Sequence, residues 1–222
     1  MANPQIGGHA VSVGHSESMR FLVLGATHGR GDGIGHAAAL ALVARGHRVH
    51  GLCRDAAKAS AEKVFPLEAL DLASLDGQAR LKALVRELDP DVIWSAIGAG
   101  IATPLWAMDD TAVETLLDAN VRQAVLLCRA CAPSCIDGGP HLVLTGSVAG
   151  VIDGTGAALY SGVKGFLVPF LRAQRVELRR QGHHPKLSLL MLDSIRATGL
   201  ELVVEALEFV GRQSHSIELL VA

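Results

Sequence analysis

The sequence predicts a single α/β domain built on a mostly parallel, seven-stranded, doubly wound sheet with helices on both faces. Three observations carry that reading. From Arg20 onward, short β-rich runs alternate with helical stretches. Most of the runs are continuously apolar rather than alternating, as in strands buried on both faces. No internal repeat, low-complexity tract or linker divides the chain, and 222 residues fit one large domain at roughly 150 residues per domain.

In chain order, Met1 to Met19 is polar and rich in Gly, His and Ser. It lacks the basic and apolar regions of a signal peptide and reads as a flexible arm ahead of a domain spanning residues 20–222. Strands are expected at Arg20–Leu24, His47–Cys53, Val64–Leu70, Asp91–Ile97, His141–Thr145, Lys186–Leu192 and Ser216–Val221. Helices are expected at Ile34–Arg45, Asp55–Lys63, Ser74–Leu88, Asp109–Ala132, Ala157–Arg180 and Gly199–Arg212. Repeated βα units imply right-handed crossovers, and ligands of such sheets bind beyond the carboxyl ends of the strands.

Composition excludes several classes of function. Twenty Lys and Arg against 22 Asp and Glu give a net charge of −2, with no basic excess for a nucleic-acid partner. An apolar content of 50% is too high for a disordered chain. The longest apolar run, Ala37 to Ala44, falls far short of the roughly 20 residues of a membrane span. Cys128, Cys131 and Cys135 share one helical stripe and read as small residues on a buried face rather than as metal ligands. Ten histidines are scattered without metal-ligand spacing, so no metal is expected. The cysteine usage points to a reducing, cytoplasmic setting.

The first strand runs into Gly25-Ala-Thr27-His-Gly29-Arg30-Gly31-Asp-Gly33-Ile34-Gly35, and a helix follows. Glycines let the backbone turn sharply and approach a pyrophosphate, and the N–H groups opening the helix then face the anion. Two registers fit, Gly25–Gly29–Gly31 and Gly29–Gly33–Gly35. At the end of the second strand, Cys53-Arg54-Asp55 offers an Arg fork for a ribose 2′-phosphate, with Arg30 as a second cation and Asp55 as a competing ribose ligand. The balance favours NADP, with NAD as the alternative.

Tyr160-Ser-Gly-Val-Lys164 opens a helical stretch, and Tyr160 is the chain's single tyrosine. The i, i+4 spacing puts both side chains on one helix face. A phenol titrates near 10 and is inert at neutral pH. A neighbouring cation favours the phenolate and makes it a usable acid/base. Ser147, just past the strand His141–Thr145, is placed to hydrogen-bond a substrate oxygen.

Together, Gly25 through Gly35, the Asp71-Leu72 pair, Asn120 in Ala-Asn-Val, Ser147, and Tyr160 with Lys164 resemble the short-chain dehydrogenase/reductase family from about Arg20 to the C-terminus. The resemblance implies a Rossmann-type fold and hydride transfer between a nicotinamide cofactor and a small-molecule carbonyl or alcohol. It assigns Tyr160 as general acid/base and Lys164 to the nicotinamide ribose and the Tyr pKa. Ser147 would orient the substrate oxygen, and Asn120 would support a water that relays protons to Lys164. The cofactor-binding set it implies is Gly25, Thr27, Gly29, Arg30, Gly33, Ile34, Gly35, Arg54, Asp71, Leu72, Ser95, Ala96, Tyr160, Lys164, Ile195 and Thr198. It also implies a homodimer or homotetramer pairing Asp109–Ala132 and Ala157–Arg180.

The chain departs from the family pattern in four places. The glycine loop is longer, Ser95-Ala96-Ile97-Gly98 replaces Asn-Asn-Ala-Gly, Asp193-Ser194 replaces Pro-Gly, and little chain separates Thr198 from the next helix. The last departure predicts an open pocket or one completed by a partner subunit. A non-redox isomerase, lyase or cyclase on this scaffold, and a nucleotide-binding interaction protein, are the alternative functions.

Overall fold

The computed structural model describes residues 17–27, 33–152, 156–193 and 197–221, with the side chains of 197, 198 and 218–221 left aside. Seven strands form one sheet: β1 Arg20–Leu24, β2 Arg48–Cys53, β3 Leu67–Ala69, β4 Val92–Ser95, β5 His141–Ser147, β6 Leu187–Leu192 and β7 Glu218–Val221. Their spatial order is β3-β2-β1-β4-β5-β6-β7. Every neighbouring pair is parallel, so the sheet is wholly parallel. The strand order reverses between β1 and β4, and a crevice opens outside the carboxyl ends at that switch point.

The helices are α1 Ile34–Ala44, α2 Ala56–Ala61, α3 Leu75–Leu88, α4 Asp110–Leu117, α5 Gln123–Cys131, α6 Ala158–Arg180 and α7 Ala197–Gly211. On one face of the sheet, Ala38, Ala39 and Leu42 of α1 join Val203, Val204 and Leu207 of α7 in one buried cluster. On the other, Leu81 and Leu84 of α3, Leu127 and Cys128 of α5, and Leu167 and Leu171 of α6 form a second. Cys128, Cys131 and Cys135 are free, buried thiols of that second core. Burial pushes Cys128 and Cys131 up to about 12. Among the described residues, no helix is long and apolar enough to cross a membrane.

Element ends shift at several places from expectation, and three of the differences matter most. β3 begins at Leu67 rather than Val64, because Pro66 has no N–H for the ladder. Its carbonyl instead accepts from the Gly51 N–H at 2.7 Å. β5 continues to Ser147, paired with Leu192, so Ser147 ends the strand instead of following it. The helix expected over Asp109–Ala132 is broken: a π turn, Asp118–Arg122, separates α4 from α5. There the Gln123 N–H reaches back five residues to the Asp118 carbonyl.

Register places the ends of the central strands together. Leu24 pairs with Leu52 on one side and with Ser95 on the other, so Gly25 and Ala96 leave the sheet at the level of Cys53, the last residue of β2. Leu127 is fully buried in the α3–α5–α6 core. Leu127→Ala is expected to lower stability by ~2–5 kcal/mol through lost burial and the cavity left behind. Urea unfolding checks this, with an unchanged slope if the native state stays compact.

Candidate active site

The first half of the site is a cleft of about 450 Å³ outside the ends of β1, β2 and β4. Gly25 turns out of β1 with φ of +82°, and an added Cβ would lie 3.2 Å from the backbone of Ala96 and Ile97. At Gly35, a Cβ would sit 2.4 Å from the Gly25 carbonyl oxygen. Both positions therefore need glycine for the α1 helix to start against the first turn. Gly33 caps α1 without a side-chain hydrogen bond and no acidic residue occupies the first turn. Thr27, Gly33, Ile34 and Gly35 line the cleft beside this helix start, where unpaired N–H groups and the helix dipole favour an anion. A dinucleotide pyrophosphate fits these features. Gly29, Arg30 and Gly31, expected to complete the loop, lie outside the described residues, as does Ile195. The side chain of Thr198 does too.

On the β2 side, Arg54 and Lys58 line the cleft. Asp55, the expected competitor for the ribose, is occupied otherwise. Its Oδ1 accepts from the Ala57 and Lys58 N–H groups at 3.0 and 3.2 Å, capping α2. Leu72 and Ala96 line the cleft. Asp71 does not belong to its lining; its Oδ1 accepts from the Ala73 N–H at 2.9 Å. Ser95 faces a different space, described next.

The second half of the site gathers Asn120, Lys164 and the end of β5. Lys164, in the second turn of α6, is 5% exposed, and its Nζ donates to the Thr145 carbonyl at 3.1 Å. Burial pulls its pKa from 10.5 down to about 8. Asn120 sits inside the π turn. Its Nδ2 donates to the carbonyls of Ala99 at 2.9 Å and Leu116 at 3.0 Å, while its buried Oδ1 has no partner among the described residues. A Cβ at Gly98 would stand 3.1 Å from both Asn120 Oδ1 and Lys164 Nζ, so the two polar groups converge on one bare glycine. Ser95, Asn120, Thr145 and Lys164 enclose a cavity of about 10 Å³, room for about one water. An orphaned oxygen, an ammonium and a carbonyl are suitable partners for it.

Tyr160 lies one turn before Lys164, whose Nζ is 6.0 Å from the centre of the phenol ring. Gly100 passes next to that ring; an added Cβ would be 3.7 Å from it. Ser147 is buried and its Oγ accepts from the Ala149 N–H at 3.2 Å. The turn after β5 is pressed on α6: a Cβ at Gly150 would lie 2.6 Å from the Gly165 nitrogen. This contact ties the Ser147 end of β5 to the helix turn that carries Lys164. Gly98, read in the sequence only as part of the Ser95–Gly98 departure, and Thr145 and Gly150 are added to the site by the structure. Gly98 and Gly150 carry a visible signal as glycines three residues past the ends of β4 and β5, whereas Thr145 acts through its main-chain oxygen and has none.

A profile described as short chain dehydrogenase matches residues 22–182. An uncharacterised oxidoreductase of Myxococcus xanthus (strain DK1622) is 34% identical over 173 residues, 72% of this chain. The chain spans 66% of the length of that relative. Among solved structures, the closed form of a serine dehydrogenase complexed with NADP+ superposes with a TM-score of 0.74 at 20% identity, covering 91% of this chain and 94% of that one. An NADH-dependent reductase complexed with NAD gives 0.66 at 21% identity, covering 92% and 95%.

The buried ammonium makes stability depend on pH in a calculable direction. Unfolded, Lys164 has its ordinary value; folded, it releases its proton near 8. Between about pH 8 and 10.5 the unfolded state binds more protons, so the cost of burying the charge, full below pH 8, is relieved as pH rises. Lys164→Met removes this cost, so its stability relative to the wild type is expected to be highest at pH 7 and to fall towards pH 10. Denaturant unfolding of both proteins across that range tests it, and parallel curves would contradict it.

Proposed function

The chain belongs to the short-chain dehydrogenase family, and from that premise we propose that it is an NADP-dependent oxidoreductase that interconverts a small-molecule carbonyl and its alcohol. The observation that carries this reading is the convergence of Lys164 and Asn120 on Gly98, behind Tyr160 and at the same end of the sheet as the glycine-lined cleft.

Gly25, Thr27, Gly33, Ile34 and Gly35 would hold the pyrophosphate, and Leu72 and Ala96 the adenosine side. A bound nicotinamide would donate or accept the hydride at the substrate carbon. Ser147 holds the substrate oxygen, and Tyr160 gives it a proton in reduction or takes one in oxidation. Lys164 would also bind the nicotinamide ribose. Its proton is replenished along the cavity shared with Asn120 and Thr145. Lys164 thus works from a buried position, where an oriented charge acts more strongly than in water.

Preference for NADP over NAD rests on two features: Arg54 in the cleft wall, and Asp55 committed to the α2 cap. A guanidinium fork matches a phosphate in charge and shape. On the substrate side, apolar side chains of the described residues are exposed. Leu105 and Trp106, in the turn after β4, are 52% and 89% exposed, and Val151 and Ile152 after β5 are exposed as well. A cytoplasmic homodimer or homotetramer is the proposed assembly, pairing α4–α5 with α6. These helices leave Leu117, Val125 and Val176 exposed.

Tyr160→Phe is the decisive variant. It keeps the ring against Gly100 and removes the proton donor. Turnover of a ketone panel with NADPH is expected to fall ~10²–10⁴-fold, while NADPH affinity, measured by cofactor fluorescence, stays at the wild-type value. Undiminished turnover would overturn the assignment.

A further inference from the structure

The adenosine end of the cleft carries an ion pair that the reaction does not require. Arg54 leaves β2 on one wall, and Asp118 opens the π turn on the other; both line the cleft. Arg54 Nη1 stands 3.7 Å from Asp118 Oδ2. Asp118 has other donors as well: Arg122 Nη1 lies 3.7 Å from Oδ1, and Gln123 Nε2 lies 3.5 and 3.4 Å from its two oxygens. We propose that Asp118 is a specificity-determining residue, which lowers the preference for a 2′-phosphorylated dinucleotide by competing with that phosphate for the Arg54 guanidinium. The proposal rests on the reading of Arg54 as the phosphate ligand.

The competition is one-sided. A ribose bearing a 2′-hydroxyl brings no anion, so Arg54 keeps Asp118 and nothing is lost. A ribose 2′-phosphate recruits Arg54 only by drawing it away from a carboxylate that already neutralises it. Asp118 tolerates the loss because Arg122 and Gln123 remain beside it. The side chains of Arg54 and Asp118 are 71% and 31% exposed, so water screens the pair and its release costs at most about fivefold in an equilibrium. That is enough to set a ratio between two cofactors, and too little to close the cleft. Asp55 cannot take over the same duty, because its carboxylate holds the N–H groups of α2.

The test is the ratio of NADPH to NADH dissociation constants, titrated by cofactor fluorescence at low salt. It compares the wild type, Asp118→Asn, Arg54→Ala and the double variant. Asp118→Asn is expected to tighten NADPH about two- to fivefold and to leave NADH unchanged. In the Arg54→Ala background the same substitution is expected to change neither. An unchanged or reduced preference in Asp118→Asn overturns the proposal. So does an equal gain in the Arg54→Ala background, which marks direct repulsion of the phosphate instead of competition for Arg54. If Arg54→Ala alone leaves the wild-type ratio intact, the reading of Arg54 falls together with the proposal. Thermal midpoints verify that each variant is folded, and Asp118→Ser replaces Asp118→Asn if the latter is not.

Discussion

Burying the Lys164 ammonium constrains everything around it, because a charge removed from water must find oriented dipoles or give up its proton. Among the described residues it finds few. One main-chain carbonyl, that of Thr145, accepts from Nζ, and a space for about one water adjoins it. The remaining cost appears as a pKa lowered to about 8. An ammonium in this state still carries its charge near neutrality but holds its proton less tightly than a surface lysine, which suits a group proposed to support a phenol in proton transfer.

Positioning that ammonium requires several segments to approach more closely than side chains allow. Gly98 passes where a methyl would touch both Lys164 and Asn120, and Gly150 lies directly on the backbone of Lys164 and Gly165. The site is therefore built largely from main chain: the Ala99, Leu116 and Thr145 carbonyls orient Asn120 and Lys164. Main-chain groups fixed by strand register move little, which gives a preorganised site its precision.

The π turn between α4 and α5 joins the two halves. It inserts one extra residue into a helical path, turns the Asn120 amide towards Ala99, and sets Asp118 on the wall of the cleft. π turns recur where a helix sacrifices regular hydrogen bonds for function. Here one short segment faces the adenosine end with a carboxylate and the acid/base end with an amide.

Much of this protein was legible in the sequence. Short apolar runs, most of them continuous, located the seven strands and their alternation with helices, because residues buried on both faces leave a pattern no longer than the strand itself. The glycines around Gly25 and Gly35, and the Tyr160–Lys164 spacing, are equally local, and the structure sets them at one end of the sheet. Other features could not be read this way. Hydrophobic periodicity passes over a one-residue π insertion, so Asp109–Ala132 looked like one helix. Asp55 could serve as helix cap or ribose ligand until its geometry decided for the cap. Thr145 acts through its carbonyl, which every residue type possesses, and Arg54 meets Asp118 across 64 residues of chain. The sequence by itself determined which segments are strands and which are helices, since those are encoded in local polarity. Tertiary structure alone decided the burial of Lys164, the orphaned oxygen of Asn120 and the Arg54–Asp118 contact, because each depends on strand register bringing distant backbone within hydrogen-bonding reach.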